Sequence, residues 1–261
     1  FVTGPVGLAS FVLRKPLVLH EQNAVAGMTN RWLSRVADCV LSALPGAFSS
    51  RVVTRVVGNP LRKEIEEHAE QMRRNVPQKP TSSSLNVLII GGSQGARVLN
   101  QRVPQAIAQC SFDINVIHQT GVQDEERVRN DYQALCTEGA SITSSAFIED
   151  MLQAYRWCDL VICRAGAMTV AELAGAGVPS ILVPFPFAVD DHQTKNAQHL
   201  TNAGAAILMP ELKFTSDALT HELDRLHNDR AALADMAAAA RQCYQANATQ
   251  HVADALTEFC K

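Results

Sequence analysis

The sequence predicts an α/β protein of two domains, each built on a parallel sheet. Three observations lead to this prediction. Short apolar runs rich in Val, Ile and Leu alternate with helical patterns from one end of the chain to the other. The 261 residues are many for one compact domain and comfortable for two. Polar residues 68–84, which include two prolines and a serine run, interrupt the alternation and predict a linker.

The expected strands are apolar runs bounded by turn residues. They cover residues 16–20, 39–42, 55–57, 86–90, 114–118, 141–144, 160–163, 180–183 and 205–209. The expected helices cover residues 28–36, 94–109, 124–135, 150–157, 169–176, 191–201, 217–228, 229–245 and 249–259. One more helix is expected after Asn59 as N-cap and Pro60, with Arg62 just inside it. In such folds ligands bind beyond the carboxyl ends of the strands, so the strand-to-helix turns should carry the chemistry.

The composition argues against several classes of protein. The chain is 47% apolar and 19% charged with a net charge of −3, which makes nucleic acid an unexpected main partner. Seven cysteines without C-x-x-C spacing predict reduced thiols in a cytosolic protein. The eight histidines are dispersed, so no metal site is expected. The sequence has no apolar run long enough to span a bilayer.

A glycine-rich turn, "LIIGGSQGAR" (88–97), follows the most apolar strand. Gly91, Gly92 and Gly95 let backbone N–H groups approach a ligand, and Ser93 adds a hydroxyl donor. The turn is neither a dinucleotide fingerprint nor a Walker loop, because Ser93 stands where the first needs its second glycine, and the Lys-Ser/Thr of the second is missing. The alternative is a tight turn that simply requires glycines.

The turn "CRAGAMTVAE" (163–172) is more informative. Its small residues leave room beside a helix N-terminus, where N–H groups and the helix dipole suit an anion such as a diphosphate. Thr169 can cap the helix or donate a hydrogen bond, and Glu172 can accept from vicinal ribose hydroxyls. The alternative for Glu172, a carboxylate that merely favours the helix end, stays equally open.

Three other turns carry polar residues. In "FPFAVDDHQTKNA" (185–197), Asp190 or Asp191 is the expected N-cap and the Gln193 amide suits sugar hydroxyls, or else the turn is merely solvated. "VLHEQNAVAG" (18–27) ends a strand with four polar residues, which favours a site over a structural hydrogen-bond cluster. Arg62 in "VVGNPLR" (56–62) opposes the dipole of the helix expected there, and a ligand phosphate would explain it.

Two segments near the start combine apolar and basic residues. "SFVLRKP" (10–16) and "NRWLSR" (30–35) predict a surface that touches anionic lipid through cations that flank Phe11 and Trp32. The alternative is that Phe11 and Trp32 belong to the core, and for Trp32 this alternative carries considerable weight.

Seven stretches together resemble the MurG family, the lipid II-forming N-acetylglucosaminyltransferases. They occur in the family's order over nearly the whole chain: "GPVGLAS", "VLHEQNAVAGMTNRWL", "VVGNPLR", "GGSQGARVLN", "FIEDM", "CRAGAMTVAELAGAGVPSILVPFP" and "DDHQTKNA". The resemblance implies a GT-B glycosyltransferase with two Rossmann-like domains and the donor in the cleft between them. It implies transfer of GlcNAc from UDP-GlcNAc to undecaprenyl-diphospho-muramoyl-pentapeptide with inversion, without a metal or other cofactor.

The resemblance also implies site residues, partners and a location. Substrate contacts would fall on Asn23, Arg62, Ser93, Ile148, Ala167, Met168, Thr169, Val170, Ala171, Glu172 and Gln193. Among them Glu172 would hold the ribose, the helix at Met168 the diphosphate, the Ile148 backbone the uracil and Gln193 the GlcNAc. Family members serve peptidoglycan synthesis, and through it cell shape and division, as peripheral proteins on the cytoplasmic face of the bacterial inner membrane. The partners would be UDP-GlcNAc, lipid I and an anionic membrane surface.

The chain departs from the family at its start. The family's first glycine-rich loop, roughly G-G-T-G-G-H, carries a histidine that is a favoured base, and the sequence lacks it. Phe1-Val2-Thr3-Gly4 is also an unnatural start, so we expect a chain cut from something longer with a truncated N-terminal domain. His20 remains a candidate catalytic residue, although an orienting or structural role is favoured. Residues 1–261 alone are expected to bind UDP-GlcNAc without transferring sugar.

The resemblance gives the expected domains their roles. Residues 1–67 would be the remainder of the acceptor and membrane-side domain, 68–84 the linker and 85–245 the UDP-GlcNAc-binding domain, with 246–261 a helix that packs back on the first. Two alternatives are a UDP-sugar epimerase of similar architecture, for which "DDHQ" and "HEQN" are thin support, and a non-catalytic chain that binds nucleotide sugars. The missing fingerprint disfavours a dehydrogenase.

Overall fold

The computed structural model describes residues 3–74, 83–92, 95–136 and 141–259, and these form two parallel sheets. The first sheet has the order β1-β2-β3. Its strands are β1 (Val18–Glu21), β2 (Cys39–Ser42) and β3 (Arg55–Val56), and its helices are α1 (Thr3–Val12), α2 (Met28–Leu33) and α3 (Lys63–Arg74).

The second sheet has six parallel strands in the order β6-β5-β4-β7-β8-β9. They are β4 (Leu85–Ile90), β5 (Ile114–Gln119), β6 (Ser141–Ser145), β7 (Leu160–Cys163), β8 (Ser180–Leu182) and β9 (Ala206–Leu208). The helices that accompany them are α4 (Arg97–Gln109), α5 (Glu125–Leu135), α6 (Met151–Trp157), α7 (Ala167–Ala176), α8 (His192–Thr201), α9 (Ser216–Asn228) and α10 (Arg230–Gln242). A last helix, α11 (Ala248–Thr257), follows them.

The core of the second sheet lies on both of its faces. Along β4, Val87 and Ile89 join one buried cluster, whereas Leu88 and Ile90 join the other, because successive side chains of a strand point to opposite faces. A strand buried on both faces reads as a continuous apolar run, which is why the sequence locates β4 and β7 well.

The strand order of the second sheet fixes where a ligand can bind. The chain winds outward through β5 and β6 on one side of β4, and through β7, β8 and β9 on the other. The turns that leave β4 and β7 therefore run to opposite faces and open a crevice between them. These are the glycine-rich turn and the turn that precedes α7.

The helix α11 lies against the first sheet rather than the second. Ala255 is buried with Leu41 and Val57, and Phe259 packs on the same cluster. Arg55 of β3 binds Glu258, with 2.7 Å between Nη1 and Oε1. The last described helix thus ties the end of the chain to the unit formed by its first residues.

Two helices differ most from the sequence prediction. α1 was not expected, and α3 begins at Lys63, so Asn59 is not its N-cap and Arg62 lies before its first turn. α3 also extends through residue 74 into the expected linker, of which residues 75–82 lie outside the described part. Helix α3 is polar overall, and its buried face is narrow. Its buried residues are Ile65, His68 and Ala69. In the described residues no helix is both long and apolar enough to cross a bilayer.

Candidate functional site

The turn before α7 presents a helix N-terminus without a cap. Gly166 occupies the N-cap position with φ −65° and ψ 149°, and it has no side chain to accept a hydrogen bond. The Val170 N–H bonds to the Gly166 carbonyl, but the N–H groups of Ala167, Met168 and Thr169 have no partner in the described part of the chain. The first turn of α7 contains no acidic residue. Three free N–H groups at the positive end of a helix form a site for an anion.

Glu172 sits in the second turn of α7 and is held from two sides. Its Oε1 lies 3.2 Å from Nη2 of Arg62, and its Oε2 accepts a hydrogen bond of 3.0 Å from the Tyr155 hydroxyl. The Glu172 side chain is 14% exposed and that of Arg62 is 46% exposed, so the pair lies at the edge of the crevice. The Glu172 carboxylate is therefore held by two side-chain contacts at the edge of the crevice.

The amide of Asn196 joins the two sheet units at the same turn. Its Oδ1 accepts from the Ala24 N–H at 2.8 Å, and its Nδ2 donates to Asn23 Oδ1 at 3.1 Å and to the Ala165 carbonyl at 3.2 Å. Asn196 is fully buried. The loop after β1 is thereby fixed against the turn before α7.

Asn59 makes a second link at this place. Its Nδ2 donates to the Gln22 carbonyl at 3.1 Å and approaches the Ala167 carbonyl at 3.5 Å. Its role is thus to bridge the two units near the α7 N-terminus rather than to cap α3.

Glu21 organises the polar run that ends β1. Its Oε1 accepts from the backbone and the side-chain amide of Asn23, and its Oε2 accepts from the Gly27 N–H and from Asn30 Nδ2, all within 2.8–3.2 Å. The structural alternative therefore holds for Glu21, which is buried. Asn23 belongs to this cluster and also reaches Asn196, so it lies where the two units meet.

His20 is half-buried at the same end of β1. Its Nε2 lies 2.9 Å from the Gly58 carbonyl, and because a carbonyl only accepts, Nε2 carries the hydrogen. Nδ1 is then the acceptor nitrogen, and it has no partner among the residues described. This hydrogen bond orients the ring.

Gln193 ties two strand ends together. Its Oε1 accepts from the Phe185 N–H at 2.9 Å and from the Ala165 N–H at 3.3 Å. Its Nε2 has no partner within the described ranges and is the only part of the side chain left for a ligand. Asp191 holds the N-cap position of α8 without capping a backbone N–H, and it accepts from Thr194 Oγ1 at 2.7 Å instead.

The backbone of the turn after β4 requires glycine at two positions. Gly95 has φ 74°, and a Cβ on it would collide with the Thr120 carbonyl oxygen. A Cβ on Gly91 would lie 2.5 Å from the Ala96 nitrogen. These glycines therefore allow the tight turn, whatever else they do. Ser93 lies outside the described residues.

Ile148 lies in the loop between β6 and α6. Its side chain is partly buried against the core cluster that contains Val170, and neither its N–H nor its carbonyl has a partner among the described residues. Asp150 caps α6 by accepting from the Gln153 N–H at 2.8 Å. The capped helix holds Ile148 in place with its backbone free to bond a ligand.

A buried polar network lies close to the glycine-rich turn. Nδ1 of His118 is 2.9 Å from the Tyr132 hydroxyl, and its Nε2 is 3.0 Å from Asn100 Oδ1, so Nε2 donates. Asn100 in turn donates to the Thr120 carbonyl and to Asp124. Burial lowers the pKa of His118 to about 3, which keeps the imidazole neutral.

The apolar side chains near the start of the chain are exposed. Phe11 is 57% and Trp32 is 64% exposed. The alternative that these two side chains belong to the core is therefore wrong. Trp32 instead carries the guanidinium of Arg35 on its ring at 4.4 Å from the centroid. Helices α1 and α2, which bear these side chains, contact each other and form one face.

The structure brings most expected site residues to one crevice. Arg62 and residues 167–172 meet directly, and Asn23 and Gln193 reach the same turn through Asn196 and Ala165. Ile148 lies behind them beside α6. Sequence reasoning missed Tyr155 and Asn196. Asn196 stands three residues after Gln193 on α8, a spacing that puts both on one helix face and could have indicated it.

In the described residues no group of three or more His, Cys, Asp and Glu side chains could hold a metal ion. The candidate anion site at the α7 N-terminus is formed by backbone N–H groups, and Arg62 lies near by through its contact with Glu172.

Comparison with known proteins gives consistent results from sequence and structure. The family model of the glycosyltransferase family 28 C-terminal domain matches residues 86–256, and that of the N-terminal domain matches residues 1–42. The UDP-N-acetylglucosamine--N-acetylmuramyl-(pentapeptide) pyrophosphoryl-undecaprenol N-acetylglucosamine transferase of Marinobacter nauticus is 49% identical over 97% of this chain and 68% of its own length. The protein of the same name from Methylococcus capsulatus is 46% identical over 99% of this chain and 70% of its own length.

Two solved structures bear on the fold. The crystal structure of Acinetobacter baumannii MurG superposes with a TM-score of 0.84 at 43% identity, over 99% of this chain and 71% of that one. A UDP-GlcNAc 2-epimerase from Neisseria meningitidis, solved with UDP-GlcNAc bound, gives a TM-score of 0.63 at 12% identity over 97% of this chain and 72% of that one. At that identity the second likeness concerns the fold alone.

Proposed function

This chain belongs to glycosyltransferase family 28 and has the GT-B fold, and from that premise we propose that it is an inverting N-acetylglucosaminyltransferase. The donor is UDP-GlcNAc and the acceptor is undecaprenyl-diphospho-muramoyl-pentapeptide, so that lipid I becomes lipid II in peptidoglycan synthesis. The names of the Marinobacter nauticus and Methylococcus capsulatus relatives support this donor and acceptor.

The observation that carries the proposal is the uncapped N-terminus of α7. During transfer the bond between the anomeric carbon and the diphosphate oxygen breaks, and the negative charge on the leaving UDP increases. The N–H groups of Ala167, Met168 and Thr169 and the helix dipole stabilise that charge without a metal ion. The small residues before α7 let the diphosphate approach the backbone.

The remaining donor contacts follow from the crevice. Glu172 accepts from the ribose hydroxyls, the free backbone groups of Ile148 pair with the uracil edge, and Nε2 of Gln193 faces the sugar. Arg62, Val170, Ala171, Ser93 and Asn23 complete the proposed donor site. Asn23 also keeps the loop after β1 against the α7 turn through Asn196.

Inversion requires the acceptor hydroxyl to attack the anomeric carbon from the face opposite the diphosphate. A base takes the proton of that hydroxyl as the new bond forms. His20 is the candidate in this chain, since its Nδ1 is an acceptor nitrogen without a protein partner among the described residues. Replacing His20 by Gln should lower the transfer rate while the affinity for UDP stays the same.

The experiment that tests the proposed function is acceptor dependence. Purified protein is incubated with labelled UDP-GlcNAc, with and without a lipid I analogue, and both free UDP and labelled lipid are measured. The proposal expects labelled lipid and UDP in equal amounts, and only with acceptor present, when residues 1–261 are part of a protein as long as the relatives. Residues 1–261 alone are expected to bind UDP-GlcNAc without either product. In the longer protein, conversion of UDP-GlcNAc without acceptor would identify an epimerase, and binding without either product would identify a non-catalytic chain.

We also propose that the face formed by α1 and α2 attaches the protein to the cytoplasmic surface of the bacterial inner membrane. Its apolar side chains Phe11 and Trp32 are exposed and are flanked by Arg14, Lys15 and Arg35. Basic residues near an anionic membrane contribute about 1 kcal/mol each. Roles in cell shape and cell division would follow from the supply of lipid II.

Vesicle binding tests this attachment. Reversing both Arg14 and Lys15 to Glu should weaken sedimentation with vesicles that contain anionic lipid, most clearly at low salt. Reversing two basic residues on another face, Arg73 and Arg74 of α3, is the control. Equal sedimentation of wild type and the Arg14/Lys15 variant would reject the proposal.

A further inference from the structure

The carboxylate of Glu172 is held in one orientation by two different donors. Arg62, which lies in the segment between β3 and α3, approaches Oε1 at 3.2 Å from the side of the first sheet unit. Tyr155, on α6 behind α7, donates to Oε2 at 3.0 Å from inside the second unit. The two carboxylate oxygens therefore have different surroundings. Oε1 is turned to the crevice and Oε2 is turned inward.

The two donors differ in how firmly they can hold the group. The Arg62 side chain is 46% exposed, so water competes for its single contact with Glu172. Tyr155 is only 2% exposed, and its hydroxyl has Glu172 as its one partner in the described structure. Burial raises the pKa of Tyr155 well above its ordinary value, so the hydroxyl keeps its proton and remains a donor.

The helix α6 connects Tyr155 to another part of the crevice. Ile148, whose backbone is free, lies just before α6, and Asp150 caps the helix by accepting from Gln153. Met151 and Ala154 anchor α6 in the core. Tyr155 therefore fixes the distance between the Glu172 carboxylate and the loop that contains Ile148.

We propose that Tyr155 is a positioning residue for the donor nucleotide, because its hydroxyl holds Oε2 of Glu172 and leaves Oε1 turned toward the ribose. This inference rests on the proposed function, in which Glu172 accepts hydrogen bonds from the ribose hydroxyls. A carboxylate oxygen has two lone pairs, so Oε1 can accept from the ribose beside or in place of Arg62. An oriented acceptor binds better than one that must give up rotational freedom when the ligand arrives.

The proposal predicts a loss of discrimination for ribose hydroxyls. The test measures the affinities for UDP and for 2′-deoxyuridine diphosphate by calorimetry and takes their ratio. Tyr155→Phe keeps the ring and removes only the hydroxyl, and the ratio should fall about tenfold, as expected for weakening a hydrogen bond to a charged acceptor. A general loss of stability would lower both affinities together and would leave the ratio unchanged.

The chain offers a matched control in Tyr132. It is also a buried tyrosine, 3% exposed, and its hydroxyl also bonds to one side chain, that of His118. Tyr132→Phe should leave the ratio at the wild-type value. A second variant carries 4-fluorophenylalanine at position 155, which fills the volume of the hydroxyl without donating, and it should show the same lowered ratio as Tyr155→Phe.

Glu172→Ala separates failure of this inference from failure of the proposed function. If Glu172→Ala lowers the ratio but both Tyr155 variants keep it, Tyr155 is only structural and the inference is overturned. If the fluorinated variant alone restores the ratio, packing rather than the hydrogen bond positions Glu172, which also overturns it. If Glu172→Ala itself keeps the ratio, the ribose does not bind at Glu172, and that part of the proposed function fails together with the inference.

Discussion

Arg62 has more donors than its visible partner uses. A guanidinium presents five N–H groups, and in the structure only Nη2 approaches Glu172. The others can reach a diphosphate at the α7 N-terminus. Arg62→Ala should therefore weaken UDP binding by about 1.5–3 kcal/mol, the usual contribution of a hydrogen bond to a charged group, and weaken uridine binding far less. Calorimetry with both ligands measures the difference.

Arg73→Ala is the control for this prediction. Arg73 is also an exposed arginine, and it pairs with Glu70 on α3 at 3.1 Å, away from the α7 turn. Its replacement should change neither affinity. Equal losses of UDP and uridine affinity in Arg62→Ala would mean that Arg62 acts on the nucleoside or on Glu172 rather than on the phosphates.

His118 should make the stability depend on pH. Its pKa is about 3 in the folded protein against an ordinary 6.5, so below pH 6.5 the unfolded chain binds a proton that the folded chain does not. The free energy of unfolding is thus highest above pH 6.5 and falls as the pH drops toward 3, with a slope of up to about 1.4 kcal/mol per pH unit from this residue. Urea unfolding between pH 7.5 and 4.5 measures the slope.

His118→Gln should reduce that slope, because glutamine cannot take up the proton. His251→Gln, on the exposed surface of α11, removes a histidine without touching the network and should leave the slope in place. An unchanged slope in His118→Gln would show that other groups cause the acid sensitivity.

The helix α7 is defined at both ends by glycine. Gly166 begins it without offering a cap, and Gly177 ends it with φ 65°. Beyond the helix, the Gly177 and Val178 N–H groups bond to the Ala174 and Leu173 carbonyls, so the C-terminus is closed while the N-terminus stays open. An uncapped N-terminus lowers stability, and a bound anion would compensate for it.

This asymmetry gives a prediction in which stability and binding change in opposite directions. Thr169→Asp places a carboxylate in the acid-free first turn of α7 and should raise the free energy of unfolding by about 0.3–1 kcal/mol. The same carboxylate would repel the diphosphate, so UDP affinity should fall strongly. Thermal unfolding and calorimetry on one variant measure both effects.

Ala231→Asp in the first turn of α10 is the matched control. That turn also lacks acidic residues, and Ala231 is exposed. The change should leave UDP affinity as it is and should stabilise the protein less than Thr169→Asp does, because the Asp229 carboxylate already caps α10. If Thr169→Asp binds UDP as well as the wild type, the diphosphate does not bind at the α7 N-terminus.

The sequence predicts the strands of both units better than it predicts the helices α1 and α3 of the first unit. β2 and β7 have the expected bounds, because continuous apolar runs between turn residues admit few other interpretations. α3 was expected to begin at Pro60 and to end before a linker at residue 68, because Pro60 favours a helix start and the residues after 67 are polar. α1, "TGPVGLASFV", was not expected because its glycines and its proline are typical of turns.

The site could be predicted where it consists of local turns and not where it depends on distant pairs. The small residues before α7 predict an anion site, because the N–H groups that would bind the anion all come from one local segment. The bonds of Glu172 to Tyr155 and Arg62 join residues 17 and 110 positions away, and no local pattern encodes them. The same holds for Asn196, which bonds to Asn23 across 173 positions.

On the scale of the whole molecule, Asn196 is a fully buried hydrogen-bond link between the two sheet units. Asn196→Ala would leave the Ala24 N–H and the Ala165 carbonyl without their partner, at a cost of about 1–3 kcal/mol. Because these groups belong to different units, amides of β1 and β2 should exchange hydrogen faster while those of β4 and β5 change little. Hydrogen exchange followed by mass spectrometry measures this pattern.

Asn100→Ala provides the comparison. Asn100 is equally buried, but its partners His118, Thr120 and Asp124 all belong to the second unit. Its removal should speed exchange in β4 and β5 rather than in β1 and β2. The same exchange pattern in both variants would contradict a linking role for Asn196.

A crystal structure with UDP bound is the sharpest test of the proposed donor site, because it shows the position of the diphosphate. We expect phosphate oxygens within hydrogen-bond distance of the backbone nitrogens of Ala167, Met168 and Thr169, with the ribose on Glu172 and the uracil beside Ile148. UDP bound in another crevice, or with its phosphates turned away from the α7 N-terminus, would contradict it.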